Sequence, residues 1–205
     1  MTQQRRSTRT RLTHAERRAE ILDAAARVIV AQGLHAFRIR DVADEAGVSQ
    51  PLVSTHFRSR EELILEAFVR ADERSLQALV AAEEAGASGR RRLEAFVHGC
   101  IGDEDDAPDD GLELWHQLWT HATFSPEIHR AVRTRQQAWI DHAARLVEEG
   151  RRDGSVASAV AAGRTALFLT TVVDGLAPSL RTGIIDLPRA HGVLDDALRA
   201  ALDAR

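Results

Sequence analysis

The sequence predicts an all-α protein of nine helices, and three observations lead to that fold class. Apolar residues recur at the three- and four-residue spacing of helix faces along most of the chain. Capping residues precede several of these runs. No stretch shows the sustained alternation with β-branched residues that is typical of a strand. With 205 residues, 44% of them hydrophobic and 28% charged, the chain suits a globular protein of one or two small domains.

The first helix is marked at both ends. Thr13 and Glu16 have the spacing of a capping box that can start it, and Gly33 can end it. Between these signals, one helix face carries the apolar side chains Ile21, Leu22, Ala25, Val28 and Ile29. The pattern predicts an amphipathic helix that packs against the elements that follow.

Two short helices come next, over 39–46 and 50–56, and they predict a helix-turn-helix. Gly47 can take the left-handed conformation that ends the first helix. Ser49 is suited to cap the second, where Pro51 is tolerated in the first turn. Such a unit leaves one face of its second helix free to enter a DNA major groove. We therefore expect base or near-base contacts from Gln50, Pro51, Leu52, Ser54, Thr55 and His56.

Charge is divided unevenly along the chain. Residues 1–60 carry 11 Arg against 6 acidic residues, a net of +5, whereas residues 61–205 carry a net of −9. The basic first part indicates DNA binding at the helix-turn-helix. We expect phosphate contacts from Arg9, Arg11, Arg38, Arg40, Arg58 and Arg60. Residues 1–12 are expected to be a disordered arm that follows the DNA, the alternative being a merely solubilising tail.

Six further helices are predicted after a second capping box at Ser59 and Glu62. Ser125-Pro126-Glu127 is the strongest start signal among them. The expected ranges are 59–84, 90–101, 112–123, 126–150, 157–180 and 187–204. The helix-turn-helix domain is thus expected at 13–58 and a C-terminal domain at 59–205.

No metal, cofactor or catalytic site is predicted. The acidic run at 103–110 lacks the glycine and glutamate positions of a calcium loop, and the histidines lack zinc-site spacing. No catalytic triad, phosphate loop or dinucleotide fingerprint indicates an enzyme. Cys100 is the single cysteine, and we interpret it as a small buried side chain. Without a membrane-spanning apolar run or a signal-peptide core, the sequence favours a cytoplasmic protein.

All three tryptophans lie within 25 residues, at Trp115, Trp119 and Trp139. They can be core residues or they can line an effector cavity, and the sequence leaves both interpretations open. A cavity would be completed by Phe168, Val172 and Asp174. Because an indole face attracts a quaternary ammonium, a hydrophobic or cationic amphiphilic ligand would fit such a wall.

Three segments, RAEILDAAARVIVAQGLHAF, RDVADEAGVSQPLVSTHF and RSREELILEAF, resemble the DNA-binding domain of TetR-family transcriptional regulators. Two later stretches, LELWHQLWTHATFSPEIHRAVRTRQQAW and LFLTTVVDGLAPSLRTG, resemble the C-terminal domain of the BetI-type branch, which includes a choline sensor. The resemblance implies the nine-helix plan. Ser54 replaces a tyrosine that is common in the family, so the operator is not implied.

The last two helices carry wide apolar stripes. In the family, such helices pack against their counterparts in a second subunit. The resemblance thus implies a homodimer, with an interface at Leu169, Val173, Leu176, Leu194, Leu198 and Ala201. The alternative is that both stripes face only the intramolecular core.

These observations predict a homodimeric repressor that binds a palindromic operator in double-stranded DNA and leaves it when a small-molecule effector binds. The alternative is an effector-independent architectural DNA-binding protein. A collapsed C-terminal core would favour the alternative, and a cavity would favour the regulator.

Overall fold

The computed structural model describes residues 12–102 and 110–203, and these residues form nine helices and no strands. The all-α fold class is therefore confirmed. The helices are α1 (His14–Gln32), α2 (Ile39–Glu45), α3 (Gln50–His56), α4 (Arg60–Ala81), α5 (Gly89–Gly99), α6 (Asp110–Ala122), α7 (Pro126–Asp153), α8 (Ala162–Arg181) and α9 (Leu187–Leu202).

The chain divides into two compact units, Met1–Arg70 and Ala71–Arg205. This division falls inside α4, whereas the sequence predicts a boundary between residues 58 and 59. The first half of α4 belongs with the helix-turn-helix because Leu63 and Phe68 are fully buried there. Arg70 also binds the carboxylate of Asp23 in α1, at 2.8 Å.

In the second unit, one core is shared by α5, α7, α8 and α9. Its fully buried side chains include Leu93, Leu146, Leu169 and Leu194. The backbones of helices α5 and α7 are in direct contact where the helices cross, since a Cβ atom on Gly89 would lie 2.1 Å from the backbone nitrogen of Gly150. Glycine is required at this crossing because the clash would be with backbone, which cannot move aside as a flexible side chain can.

The capping residues explain where several helices begin. Thr13 and Glu16 form the predicted capping box at α1. At α4 the box is incomplete: the Ser59 hydroxyl accepts from the Glu62 amide at 3.0 Å, but the Glu62 carboxylate binds the amide of Arg58.

Helix α3 has the predicted bounds, but α8 begins later than the predicted residue 157. The reason is packing, because Val156 and Val160 are both buried in the turn that precedes α8.

Candidate functional site

Helices α2 and α3 form the predicted helix-turn-helix. Gly47 has a φ of +63°, a conformation that strains other residues, and this glycine follows the end of α2. The amide of Val48 closes the turn by donating to the carbonyl of Ala43 at 2.9 Å. Val42 and Val53 are buried, which leaves the opposite face of α3 exposed. Ser49 occupies the N-cap position, although its hydroxyl makes no capping hydrogen bond.

The exposed face of α3 carries five of the predicted base-contacting residues: Gln50, Pro51, Leu52, Ser54 and Thr55. The Ser54 and Thr55 hydroxyls donate to the carbonyls of Gln50 and Leu52, at 3.4 and 2.7 Å. The Gln50 amide offers the donor and acceptor that match an adenine edge, and Leu52 offers an apolar contact for a thymine methyl. This face therefore has the chemistry of direct base readout.

His56 is only half-exposed beside this face, and its base contact stays a prediction. Its ring packs against the His14 ring of α1, with the ring centroids 4.2 Å apart. Burial, together with the nearby His14 and Arg18, lowers the pKa of His56 and so favours the neutral ring. The side chain is thus part of the packing of α3 on α1.

The predicted phosphate-binding arginines fall into three groups. Arg38, Arg40 and Arg58 are exposed, the Arg58 side chain by 93%. Arg60 is half-buried, and its guanidinium donates to the carbonyls of Leu34 and Phe37. Those two bonds hold the α1–α2 connection, and the phosphate contact of Arg60 stays a prediction. Arg9 and Arg11 lie outside the described residues.

Within the second unit, side chains from α4 to α8 enclose a cavity. Its cavity volume is about 40 Å³, and the atom-free space reaches about 490 Å³ only when the open solvent at its mouth is included. Phe96, Trp115 and Trp139 form aromatic walls. The remaining lining residues are Asp72, Val97, Cys100, Leu112, Gln136, Thr170, Val173 and Asp174. The cavity is therefore mainly apolar, with a few polar side chains.

The buried carboxylate of Asp72 and the half-buried carboxylate of Asp174 face the cavity, and each accepts a hydrogen bond from one indole. Asp72 accepts a 2.9 Å hydrogen bond from Trp139 Nε1 and pairs with Arg135. Asp174 accepts hydrogen bonds from Trp115 and from the Gln136 amide, the latter at 3.0 Å. Burial raises the pKa of both acids, that of Asp174 to about 6. At pH 7 Asp174 is mainly ionised, and its described hydrogen-bond partners are neutral.

Three predicted pocket residues lie outside this lining. Trp119 and Phe168 are each 45% exposed, and Val172 packs against the core. The Trp119 ring meets the Trp115 ring edge-on, with centroids 5.2 Å apart, so it supports the cavity wall from outside. The cavity thus receives two of the three tryptophans, together with Asp174.

Sequence reasoning missed Asp72, Phe96, Gln136 and Thr170. Phe96 sits on the apolar face of α5, where it is indistinguishable from an ordinary core residue. Asp72 does carry a signal, because it is an acid on the buried face of α4, where acids are rare unless they have a partner. Its partner Arg135 lies on another helix and is not visible from local spacing.

Most of the predicted dimer-interface residues are buried inside the protomer, and which surface meets a second subunit stays a prediction. Leu169 and Leu194 have no exposed surface, and Val173 and Leu198 have little. Leu176 and Ala201 are half-buried at the margin of the core. The apolar stripes of α8 and α9 therefore pack mainly on each other and on α5 and α7.

A different face of α8 remains exposed. It carries Leu167, Phe168, Thr171 and Gly175 at helical spacing, and on α9 the side chain of Val193 is also exposed. A Cβ atom on Gly175 would meet nothing within 4 Å, so no packing within the protomer requires a glycine there.

Helices of the described chain are too short or too polar to cross a bilayer. The described residues also include no group of three or more His, Cys, Asp or Glu side chains that could hold a metal ion. Residues 103–109 of the acidic run lie outside the described part.

The chain matches two family profiles. Residues 21–67 match the profile of bacterial regulatory proteins of the tetR family. Residues 89–204 match the C-terminal domain of BetI-type transcriptional repressors. The first match covers the helix-turn-helix, and the second covers α5 to α9 and with them every residue of the cavity lining except Asp72 of α4.

The chain is similar to two transcriptional regulators, to the first over most of its length and to the second over less than half. It is 30% identical to the transcriptional regulator BetI of Escherichia coli O127:H6 over 183 residues, which are 86% of this chain and 89% of that protein. It is 38% identical to the transcriptional activator FasR of Mycolicibacterium smegmatis over 87 residues, 42% of this chain and 40% of that protein.

A solved structure is also similar. A transcriptional regulator from Saccharomonospora viridis, crystallised in complex with choline, matches with a TM-score of 0.81 and 28% identity over 92% of this chain and 98% of that one. The chain therefore belongs to the TetR family of transcriptional regulators, whose members bind DNA and dimerise, and it carries a BetI-type C-terminal domain.

Proposed function

We propose that this regulator is a dimeric repressor that leaves a palindromic operator when a small organic cation binds the cavity. The observation that carries the proposal is the pairing of three aromatic walls with the ionisable carboxyl of Asp174. Aromatic faces attract a quaternary ammonium, and a desolvated site strengthens that attraction. The BetI likeness and the choline-bound relative favour choline or a close analogue as the first ligand to test.

Asp174 supplies the charge that such a ligand needs. Asp72 is already matched by Arg135, whereas the partners of Asp174 are an indole and an amide. A cation in the cavity would neutralise Asp174 without displacing an arginine. A neutral or anionic ligand would instead leave this carboxylate buried and unmatched, which is costly.

A ligand at this site would contact two helices that also take part in DNA binding and in the proposed dimerisation. Asp72 belongs to α4, which begins in the DNA-binding unit, and Asp174 belongs to α8, whose other face is the proposed dimer surface. The ligand would release DNA only if it binds the DNA-incompetent arrangement more tightly, since equal binding to both arrangements shifts nothing.

On the DNA side, α3 would contact bases through Gln50, Leu52, Ser54 and Thr55, while Arg38, Arg40 and Arg58 would contact phosphates. Dimerisation through the exposed face of α8 and through α9 would pair two α3 helices. Two-fold symmetry in the protein is matched by a palindromic operator, with half-sites about one helical turn apart or a multiple of that.

The test compares choline with its uncharged isostere 3,3-dimethyl-1-butanol. Binding is followed by tryptophan fluorescence, and release by the affinity for an operator selected from random duplexes. We expect choline, and not the isostere, to change both signals over one concentration range. Asp174→Asn should abolish the response and retain DNA binding, and Trp119→Phe, outside the cavity, should retain both.

Equal responses to choline and the isostere would overturn the proposed ligand chemistry. DNA binding that no member of a wider ligand panel changes would instead favour the effector-independent architectural protein. Failure of the wild-type protein to enrich any palindrome would overturn the proposed mode of DNA recognition.

A further inference from the structure

Arg18 joins the end of α3 to two other helices. From α1, its guanidinium donates to the carbonyl of His56, the last residue of α3. It also binds both carboxylate oxygens of Glu66 in α4, each at 2.6 Å. The same guanidinium lies over the Phe57 ring, 4.2 Å from its centroid. One side chain thus connects α1, α3 and α4 within the DNA-binding unit.

This connection matters because α3 has little support of its own. It has only seven residues, and the Ser49 hydroxyl makes no capping bond at its start. Carbonyls at a helix C-terminus lack intrahelical partners, and a cation there also complements the helix dipole. Arg18 supplies both the donor and the charge at this end.

We propose that Arg18 is a positioning residue for DNA sequence discrimination, which acts by fixing the direction of α3. Both of its terminal nitrogens donate to protein acceptors, which favours a role inside the protein over a phosphate contact. The inference rests on the proposed base readout by α3. Small displacements of that helix would misplace Gln50, Leu52 and Thr55 relative to the base edges.

Glu66 separates this inference from an ordinary phosphate contact. Replacing Glu66 by Gln removes a negative charge from the DNA-binding unit, so electrostatics alone predicts tighter binding to every duplex. If Glu66 instead holds Arg18 in place, the same change lowers the preference for the operator. Electrostatics alone therefore leaves the ratio between operator and non-specific binding unchanged, whereas positioning through Arg18 lowers it.

The experiment measures Kd for the selected operator and for a scrambled duplex across a range of salt concentrations. Arg18→Gln should lower the discrimination ratio by about tenfold or more, the scale of one lost base contact. Its salt slope should stay unchanged. Glu66→Gln should lower the ratio in the same direction, and the double variant should be no worse than Arg18→Gln.

Two variants calibrate these values. Arg58→Gln should lower the salt slope by about 0.9, the value of one phosphate contact, with little change in the ratio. Arg27→Gln breaks an exposed ion pair with Glu45 between α1 and α2, and it should change neither quantity.

The inference is overturned if Arg18→Gln folds and keeps the wild-type ratio, or if it lowers the salt slope as Arg58→Gln does. Should Arg18→Gln fail to fold, Glu66→Gln decides alone, because an unchanged or higher ratio contradicts positioning. A wild-type protein that selects no operator would count against the proposed function, whereas an operator that all variants read equally well would count only against Arg18.

Discussion

Asp174 shows how position alters the chemistry of a single side chain. Burial raises its pKa to about 6, so the carboxyl group ionises within a pH range that is easily reached by experiment. Choline keeps its charge at every pH, and it is therefore a clean probe of the carboxylate. Its affinity should be full above the pKa and should fall by about tenfold between pH 7 and pH 5, as the carboxylate is protonated.

Fluorescence titrations at several pH values measure this dependence, and Asp174→Asn serves as the control because it has no charge to lose. An affinity that is constant between pH 5 and pH 7 in the wild-type protein would rule out a direct role for the carboxylate.

The stability of the ligand-free protein has the opposite pH dependence. The contribution of the neutral Asp174 carboxyl to the free energy of unfolding is fully present below about pH 3.8 and is lost as the pH rises through about 6.

Among the elements, the crossing of α5 and α7 depends on two glycines. Gly89→Ala would place a Cβ atom against the backbone of Gly150, and the helices would have to separate. We expect a loss of about 1–3 kcal/mol in the free energy of unfolding, as for other overpacked sites. Urea denaturation followed by circular dichroism measures it.

Gly192→Ala provides the matched comparison for this crossing. A Cβ atom there meets nothing within 4 Å, and alanine favours a helix by up to about 1 kcal/mol over glycine. This variant should therefore be as stable as the wild-type protein or more stable. Equal losses in the two variants would show that the close approach of α5 and α7 is not what destabilises Gly89→Ala.

At the scale of the whole molecule, neighbouring residues of α8 separate assembly from folding. Phe168 is 45% exposed on the proposed dimer face, whereas Leu169 is fully buried in the core. Phe168→Asp should yield a folded monomer that binds the operator weakly, because its two half-sites are no longer bound together. Leu169→Asp should lose more than about 3 kcal/mol of stability, since it leaves an unpaired charge in the core.

Sedimentation velocity reports the oligomeric state, and circular dichroism reports folding. A Phe168→Asp protein that remains a dimer would place the interface elsewhere. A folded, monomeric Leu169→Asp protein would instead restore the interface that the sequence alone predicts.

The sequence by itself determined the all-α class, the family and the bounds of α3. These features depend on local signals, namely caps, a turn glycine and helical periodicity, because backbone hydrogen bonds in helices are made between near neighbours. The Thr13–Glu16 capping box and the Gly47 turn both appear in the structure as expected.

Tertiary structure alone decided which apolar side chains are core, which line a cavity and which remain exposed. Leu167, Phe168 and Leu169 are equally apolar in the sequence, yet the third is buried and the first two are not. The roles of Arg18, Arg60 and Asp72 also depend on partners far away along the chain. Periodicity identifies a helix face, but only packing against other helices decides what that face contacts.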